Sequence, residues 1–193
     1  MRRPFTAVLV ALLLSATGCA RHPEPPVPQQ TPAGAVADAS TSPIDVLFLA
    51  MMVAHTEQTL QIVRLGLDRA SDPETRTLIA AIEVTEADEL STMRGWLRDA
   101  GPSAMAAAAR HDHSGHSDAA AALARLRVAP AGEVDRVLLD ALSAHQRAAA
   151  DLARAQLDAG TSATVRELAR RIEQSRTAEV ALMAKLAAAP FRS

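Results

Sequence analysis

The stretch DVLFLAMMVAH, residues 45–55, decides the fold because it returns as DRVLLDALSAH at residues 135–145. Asp45 matches Asp135, Phe48 matches Leu138, Met52 matches Leu142 and His55 matches His145. The same offset of 90 residues then runs on without a gap. It maps Leu67 to Leu157, Arg76 to Arg166, Ile82 to Ile172, Glu83 to Glu173, Glu89 to Glu179 and Met93 to Met183. A repeat of this length is one supersecondary unit used twice.

Each copy reads as two helices. Ser42-Pro43-Ile44-Asp45 is a helix start: a serine cap, a proline in the first turn and an acid at the positive end of the dipole. Leu47, Phe48, Met51, Met52, His55, Ile62 and Leu65 then recur at helical spacing. Asp72-Pro73-Glu74 opens a second helix, which stops at Gly101-Pro102. A third is expected from near Pro130 to Gly160, and a fourth from Thr161–Ser162 to just before Pro190. Each hairpin alone would expose an apolar stripe. Two of them, 43–100 and 130–188, can bury those stripes against each other as a four-helix bundle spanning residues 43–188. The linker 101–129 contains DAAAALARLRV, which suits a short helix.

Composition agrees with an all-α chain. Aromatics are 2 % of 193 residues, tyrosine is absent, and much of the apolar content is alanine, the strongest helix former. A net charge of −2 gives no reason to expect a nucleic-acid partner.

The N-terminus points outside the cytoplasm. Arg2 and Arg3 precede the apolar run FTAVLVALLL and the small-residue zone SATGCA, the pattern of a secretory signal. The run is short for a membrane span. Cys19 is the only cysteine and follows Ala16-Thr17-Gly18, which resembles the lipobox of bacterial lipoproteins. The expected division is a signal over 1–18, a lipidated Cys19 and a proline-rich tether over 19–42.

Within the hairpins, His55 and Glu89 stand level, both about 25 Å from the turn at ~1.5 Å per residue. Met51 lies one turn before His55, and Met93 one turn beyond Glu89. The second hairpin repeats this with His145, Glu179 and Met183. Two arrangements are open. The four imidazole and carboxylate groups can meet on a metal, with Met51, Met52, Met93 and Met183 as nearby thioethers, or each histidine can bond its own glutamate and fix helix register. A separate candidate is HDHSGHSD at 111–118, where His111, His113 and His116 with two aspartates could wrap an ion.

At these residues the chain resembles the domain of unknown function 305 family (DUF305). That repeat carries an Asp, a Phe three residues on, a Met pair, a His-His pair and a later Gln-x-x-Glu-Ile-x-x-Met-x-x-Trp-Leu run. Here it reads Asp45, Phe48, Met51-Met52, His55-Thr56, Glu86, Glu89-Leu90, Met93 and Trp96-Leu97. The second copy reads Asp135, Leu138, Leu142, His145-Gln146, Arg176, Glu179-Val180 and Met183. The resemblance implies a ferritin-like four-helix bundle, secreted or membrane-anchored, with copper bound through His and Met in some members. Thr56 and Gln146 stand where the family has its second histidines, and Ile62 and Leu152 where it has a later methionine.

The functional expectation is an extracytoplasmic lipoprotein that binds a metal ion, copper as Cu(I) or Cu(II) first and zinc second, and sequesters or passes it on. The alternative is a non-catalytic structural or interaction module of the envelope with a degenerate metal site. An enzyme is not expected. No glutamate has a histidine three residues later, as helical di-iron sites require, and there is no Gly-rich phosphate loop.

Overall fold

Why these residues become helices is visible at their ends. Ser42 caps α1 (Pro43–Arg69) through a reciprocal capping box with Asp45. Asp72 accepts from Thr75 N at 2.7 Å and caps α2 (Pro73–Asp99). After α3 (Pro102–Arg110) and α4 (Ala119–Val128), a 3-10 turn at Ala131–Glu133 leads into α5 (Val134–Ala159). Ser162 caps α6 (Ala163–Ala188) by accepting from Val165 N. The computed structural model describes residues 41–110 and 119–189, and among them there is no strand. The signal, Cys19 and tether expected over 1–42 fall almost wholly outside the described residues, as does the His-rich segment 111–118.

The four long helices begin and end close to where the sequence puts them. α3 is the exception. Gly101-Pro102 does end α2, with Gly101 at φ 93, the left-handed conformation glycine accepts. Pro102 then supplies the first turn of a new helix, because a proline's missing N–H costs nothing there.

The two hairpins are related by an approximate two-fold, shown by contacts that recur at the repeat offset. Arg64 pairs with Glu83 at 2.9 Å, and Arg154 with Glu173 at 3.1 Å. Arg76 donates to the Leu67 carbonyl, and Arg166 to that of Leu157. The two aspartates that open the repeats do the joining. Asp45 accepts from the backbone N–H groups of Thr161 and Ser162, at the α5–α6 turn. Asp135 accepts from those of Ser71 and Asp72, at the α1–α2 turn. Each hairpin thus holds the other's turn with a buried carboxylate.

Two apolar clusters result. One joins Ile62, Val63, Ile79 and Ile82 to Leu138, Leu139 and Leu142, with Leu123 and Leu126 of α4 packed on it. Arg69 anchors α4 there by donating to the carbonyls of Leu126 and Ala129. The other gathers Phe48, Leu49, Met52, Met93 and Trp96 with Val165, Leu168 and Ile172. α1 is long and apolar enough to cross a bilayer, yet 61 % of its most apolar window is buried inside the protein. Core packing accounts for that apolarity.

α1 meets α5 at Gly66, where a Cβ would lie 2.7 and 2.8 Å from the two methyl carbons of Leu138. Leu138 is fully buried and has little room to yield. Gly66→Ala is therefore expected to destabilise by about 1–3 kcal/mol, seen as a lower urea midpoint at unchanged slope. Gly95→Ala is the control. Its Cβ would meet only the Arg98 guanidinium at 3.8 Å, and it should be neutral or stabilising by up to about 1 kcal/mol.

Candidate functional site

Between the two apolar clusters each long helix changes character. α1 buries His55, Thr56 and Thr59; α2 buries Glu86; α5 buries His145 and Gln146; α6 buries Arg176 and Glu179. On every helix these positions fall between residues of the first cluster and residues of the second. They form a polar layer across the middle of the protein.

The histidines meet each other. Their rings stack with centroids 3.7 Å apart and planes inclined by 11°. His55 Nε2 lies 3.1 Å from the His145 carbonyl oxygen, and His145 Nε2 lies 3.2 Å from that of His55. A carbonyl only accepts, so each Nε2 carries the proton. With Nε2 protonated, the lone pair of each neutral ring is on Nδ1. Burial holds the His55 imidazole well below its usual range, at about 3, and repulsion from His145 adds to this against the carbonyl bond. The His55 ring is neutral at physiological pH.

The glutamates converge elsewhere. Arg176, 1 % exposed, places Nε 3.4 Å from Glu86 and Nη1 3.3 Å from Glu179, and its Nη2 bonds Glu89. Gln146 Nε2 donates to Glu86 at 2.8 Å and to Glu179 at 2.6 Å. Ser175 Oγ donates to Glu179 at 2.8 Å. Burial pushes Glu86 up to about 7, against the pull of Arg176. It raises Glu89 too, and the surrounding carboxylates raise Arg176 further although its own burial opposes this.

The sequence therefore brings the matched histidines together but leaves open what they bond. Neither arrangement read from it describes the layer: the imidazole Nε2 atoms face backbone of the opposite hairpin, while Glu89 and Glu179 gather on Arg176. The methionines divide. Met52 and Met93 belong to one apolar cluster and Met183 to the other, where Ser143 Oγ lies 3.7 Å from its sulfur. Met51 is half-buried on α1. Among the described residues no group of three or more His, Cys, Asp or Glu is placed to hold a metal ion. His111, His113, His116 and Cys19 lie outside the described residues. Arg176, Glu86 and Gln146 were not singled out as site residues. A signal existed: the repeat offset places an acid, Glu86, opposite a base, Arg176, so the two-fold itself should pair them.

Comparison with known proteins gives one family. The model of the domain of unknown function DUF305 matches residues 45–187. No curated protein matches the chain. Among solved structures, a DUF305 fragment from Deinococcus radiodurans superposes with a TM-score of 0.67 at 22 % identity, covering 76 % of this chain and 97 % of that one. A DUF305 protein from Streptomyces coelicolor, taken to be secreted, gives 0.66 at 25 % identity, covering 74 % and 89 %. CopM in its Cu(II)-bound form gives 0.62 at 22 % identity, covering 74 % and 95 %.

Proposed function

The chain belongs to the DUF305 family, and from that starting point we propose that it is an extracytoplasmic copper-binding protein that holds the ion or passes it on without catalysing a reaction. In this reading the four long helices close as a ferritin-like bundle, residues 1–18 are removed as a signal, and lipidated Cys19 anchors the 19–42 tether to a membrane. One lipid chain anchors only marginally, so a second chain on the same cysteine would be needed for stable attachment.

The observation that carries the copper reading is HDHSGHSD at 111–118, which sits between α3 and α4 of a fold that also occurs in a Cu(II)-bound protein. Imidazole suits copper in either oxidation state and zinc as well. The helical core is favoured less, because among the described residues no group of three or more His, Cys, Asp or Glu is placed there to hold an ion. The stacked His55–His145 pair, with Arg176 beside it, also supports a second reading: an envelope interaction module that keeps the fold without a metal.

Calorimetric titration with Cu(I), Cu(II) and Zn(II) separates the two. Binding by the parent chain is expected to vanish in His111→Ala/His113→Ala/His116→Ala and to survive in His55→Ala/His145→Ala. It should weaken as pH falls through about 6.5, since the ligands must be neutral imidazoles. A parent chain that binds none of these ions would leave the interaction module. Loss only in the His55/His145 variant would move the site into the core.

A further inference from the structure

The polar layer contains one cation and three acids. Glu86 and Glu89 come from α2, Arg176 and Glu179 from α6, and none of the four side chains is more than 12 % exposed. Arg176 reaches all three carboxylates, one with each nitrogen of its fork. Gln146 adds a fourth polar arm. Its Nε2 lies on Glu86 and Glu179, and its Oε1, on the same planar amide, is buried without a hydrogen-bond partner. The oxygens around Arg176 are therefore those of three carboxylates, two of which also accept from the Gln146 amide N–H.

The repeat shows what is unusual about it. Several charged or imidazole-bearing positions in one hairpin have the same residue in the other: Asp45 and Asp135, His55 and His145, Arg64 and Arg154, Glu89 and Glu179. At 86 and 176, as at 57 and 147, the two copies carry opposite charges, and at 86 and 176 both side chains are buried. An approximate two-fold that brings these positions face to face would oppose like charges if the copies were identical. Here it forms an ion pair at 3.4 Å.

We infer that Arg176 is a built-in counter-cation, standing among Glu86, Glu89, Glu179 and Gln146 where a hard divalent cation would otherwise satisfy the same oxygens, and that it closes the core of this protein to metal ions. The inference is separate from the copper reading. That one concerns soft or imidazole coordination outside the helices; this one concerns an all-oxygen pocket inside them, whose chemistry suits Mn(II) or Ca(II) and not Cu(I). An ordinary buried ion pair would make a different demand. Such pairs are commonly replaceable by apolar residues of similar volume, and no cation would compensate their loss.

The test uses the full chain and Mn(II), followed by thermal unfolding and by the electron paramagnetic resonance of the bound ion. The wild-type melting temperature should not respond. Arg176→Ala should melt lower in the absence of the ion and recover by about 5–10 °C at a Mn(II) concentration about 100-fold above Kd, with an immobilised Mn(II) spectrum. Glu86→Gln/Arg176→Ala should lose most of that recovery. If Arg176→Ala is unfolded without metal, refolding on addition of Mn(II), read by circular dichroism, supports the inference equally. It is overturned if Arg176→Ala gains no response to Mn(II), or if it stays unfolded with the ion present. It is overturned from the other side if wild-type chain binds Mn(II) and Glu86→Gln abolishes that binding. A failed copper titration touches none of these outcomes.

Discussion

Asp45→Ala is expected to lower the unfolding free energy by about 3–5 kcal/mol, more than any other single truncation at a helix end in this protein. The Asp45 carboxylate accepts six hydrogen bonds: from Ser42 N and Oγ, Gln156 Nε2, Thr161 N and Oγ1, and Ser162 N. Removing it takes the N-terminal box from α1 and the anchor from the α5–α6 turn together. Each buried donor left without an acceptor costs about 1–3 kcal/mol, and partial exposure at Ser42 and Thr161 lets water recover some of that. Asp135 accepts three hydrogen bonds, from Ser71 N and Oγ and Asp72 N, so Asp135→Ala should cost about half as much. Urea unfolding of the two variants decides this; equal losses would mean that the extra bonds to Asp45 add nothing.

The same carboxylate sets part of the acid limit. Burial alone would raise it, but the bonds from Ser42, Gln156 and Thr161 outweigh that and hold it at about 2, down from 3.8. A depressed carboxylate adds stability that is complete above pH 3.8 and is lost as pH falls through 2, here about 2 kcal/mol. Asp45→Asn keeps the shape and removes the charge. Its stability should therefore fall less steeply than wild type between pH 4 and pH 2.

Asp45 also marks how far the sequence could be read. Its place in the first turn of α1 is plain from Ser42-Pro43, because capping is local chemistry. Its hold on Thr161 and Ser162, more than a hundred residues away, depends on how the hairpins dock. The repeat told that matched imidazoles would meet, since a two-fold brings equivalent positions together. It could not tell that their Nε2 atoms would turn to carbonyls. A mid-helix carbonyl is normally occupied by its own helix, and only the close approach of α1 and α5 offers it a second donor. Nor could spacing place Arg176 over residues that looked like metal ligands: helical periodicity gives the face of a side chain, not which of several polar neighbours it selects. α3 was hidden because Gly-Pro reads as an end, and the same proline is also a beginning.

Between pH 4.5 and pH 6.5 Glu86 offsets the rise in stability that His55 gives the wild-type chain, and Glu86→Gln should expose that rise, up to about 1.4 kcal/mol per pH unit. Two buried groups oppose each other in this window. His55 titrates at about 3 in the folded chain and near 6.5 unfolded, so the unfolded state takes up a proton first and stability falls as pH drops through 6.5 toward 3. Glu86 titrates at about 7 folded and near 4.5 unfolded, so the folded state keeps its proton longer and stability falls as pH rises through 4.5 toward 7. Where the windows overlap the two proton balances cancel. Gln at 86 keeps the volume and the polar contacts with Gln146 and Arg176 but cannot ionise, which leaves the His55 gradient opposed only by Glu89. Across the overlap the variant should gain up to about 2–3 kcal/mol as pH rises, and above pH 7 it should exceed wild type by about 1–3 kcal/mol, since no carboxylate is then forced to ionise at that buried position. Arg176 retains Glu89 and Glu179, so the layer is not left with an unpaired cation. His55→Asn should show the mirror image, a fall from pH 4.5 to pH 7, steepened by Glu89, which burial raises in the same direction. Urea midpoints collected at half-unit pH intervals for the three chains would resolve these slopes. Parallel profiles for wild type and Glu86→Gln would show that Glu86 is already ionised at pH 5, with Arg176 holding it fully in the folded core.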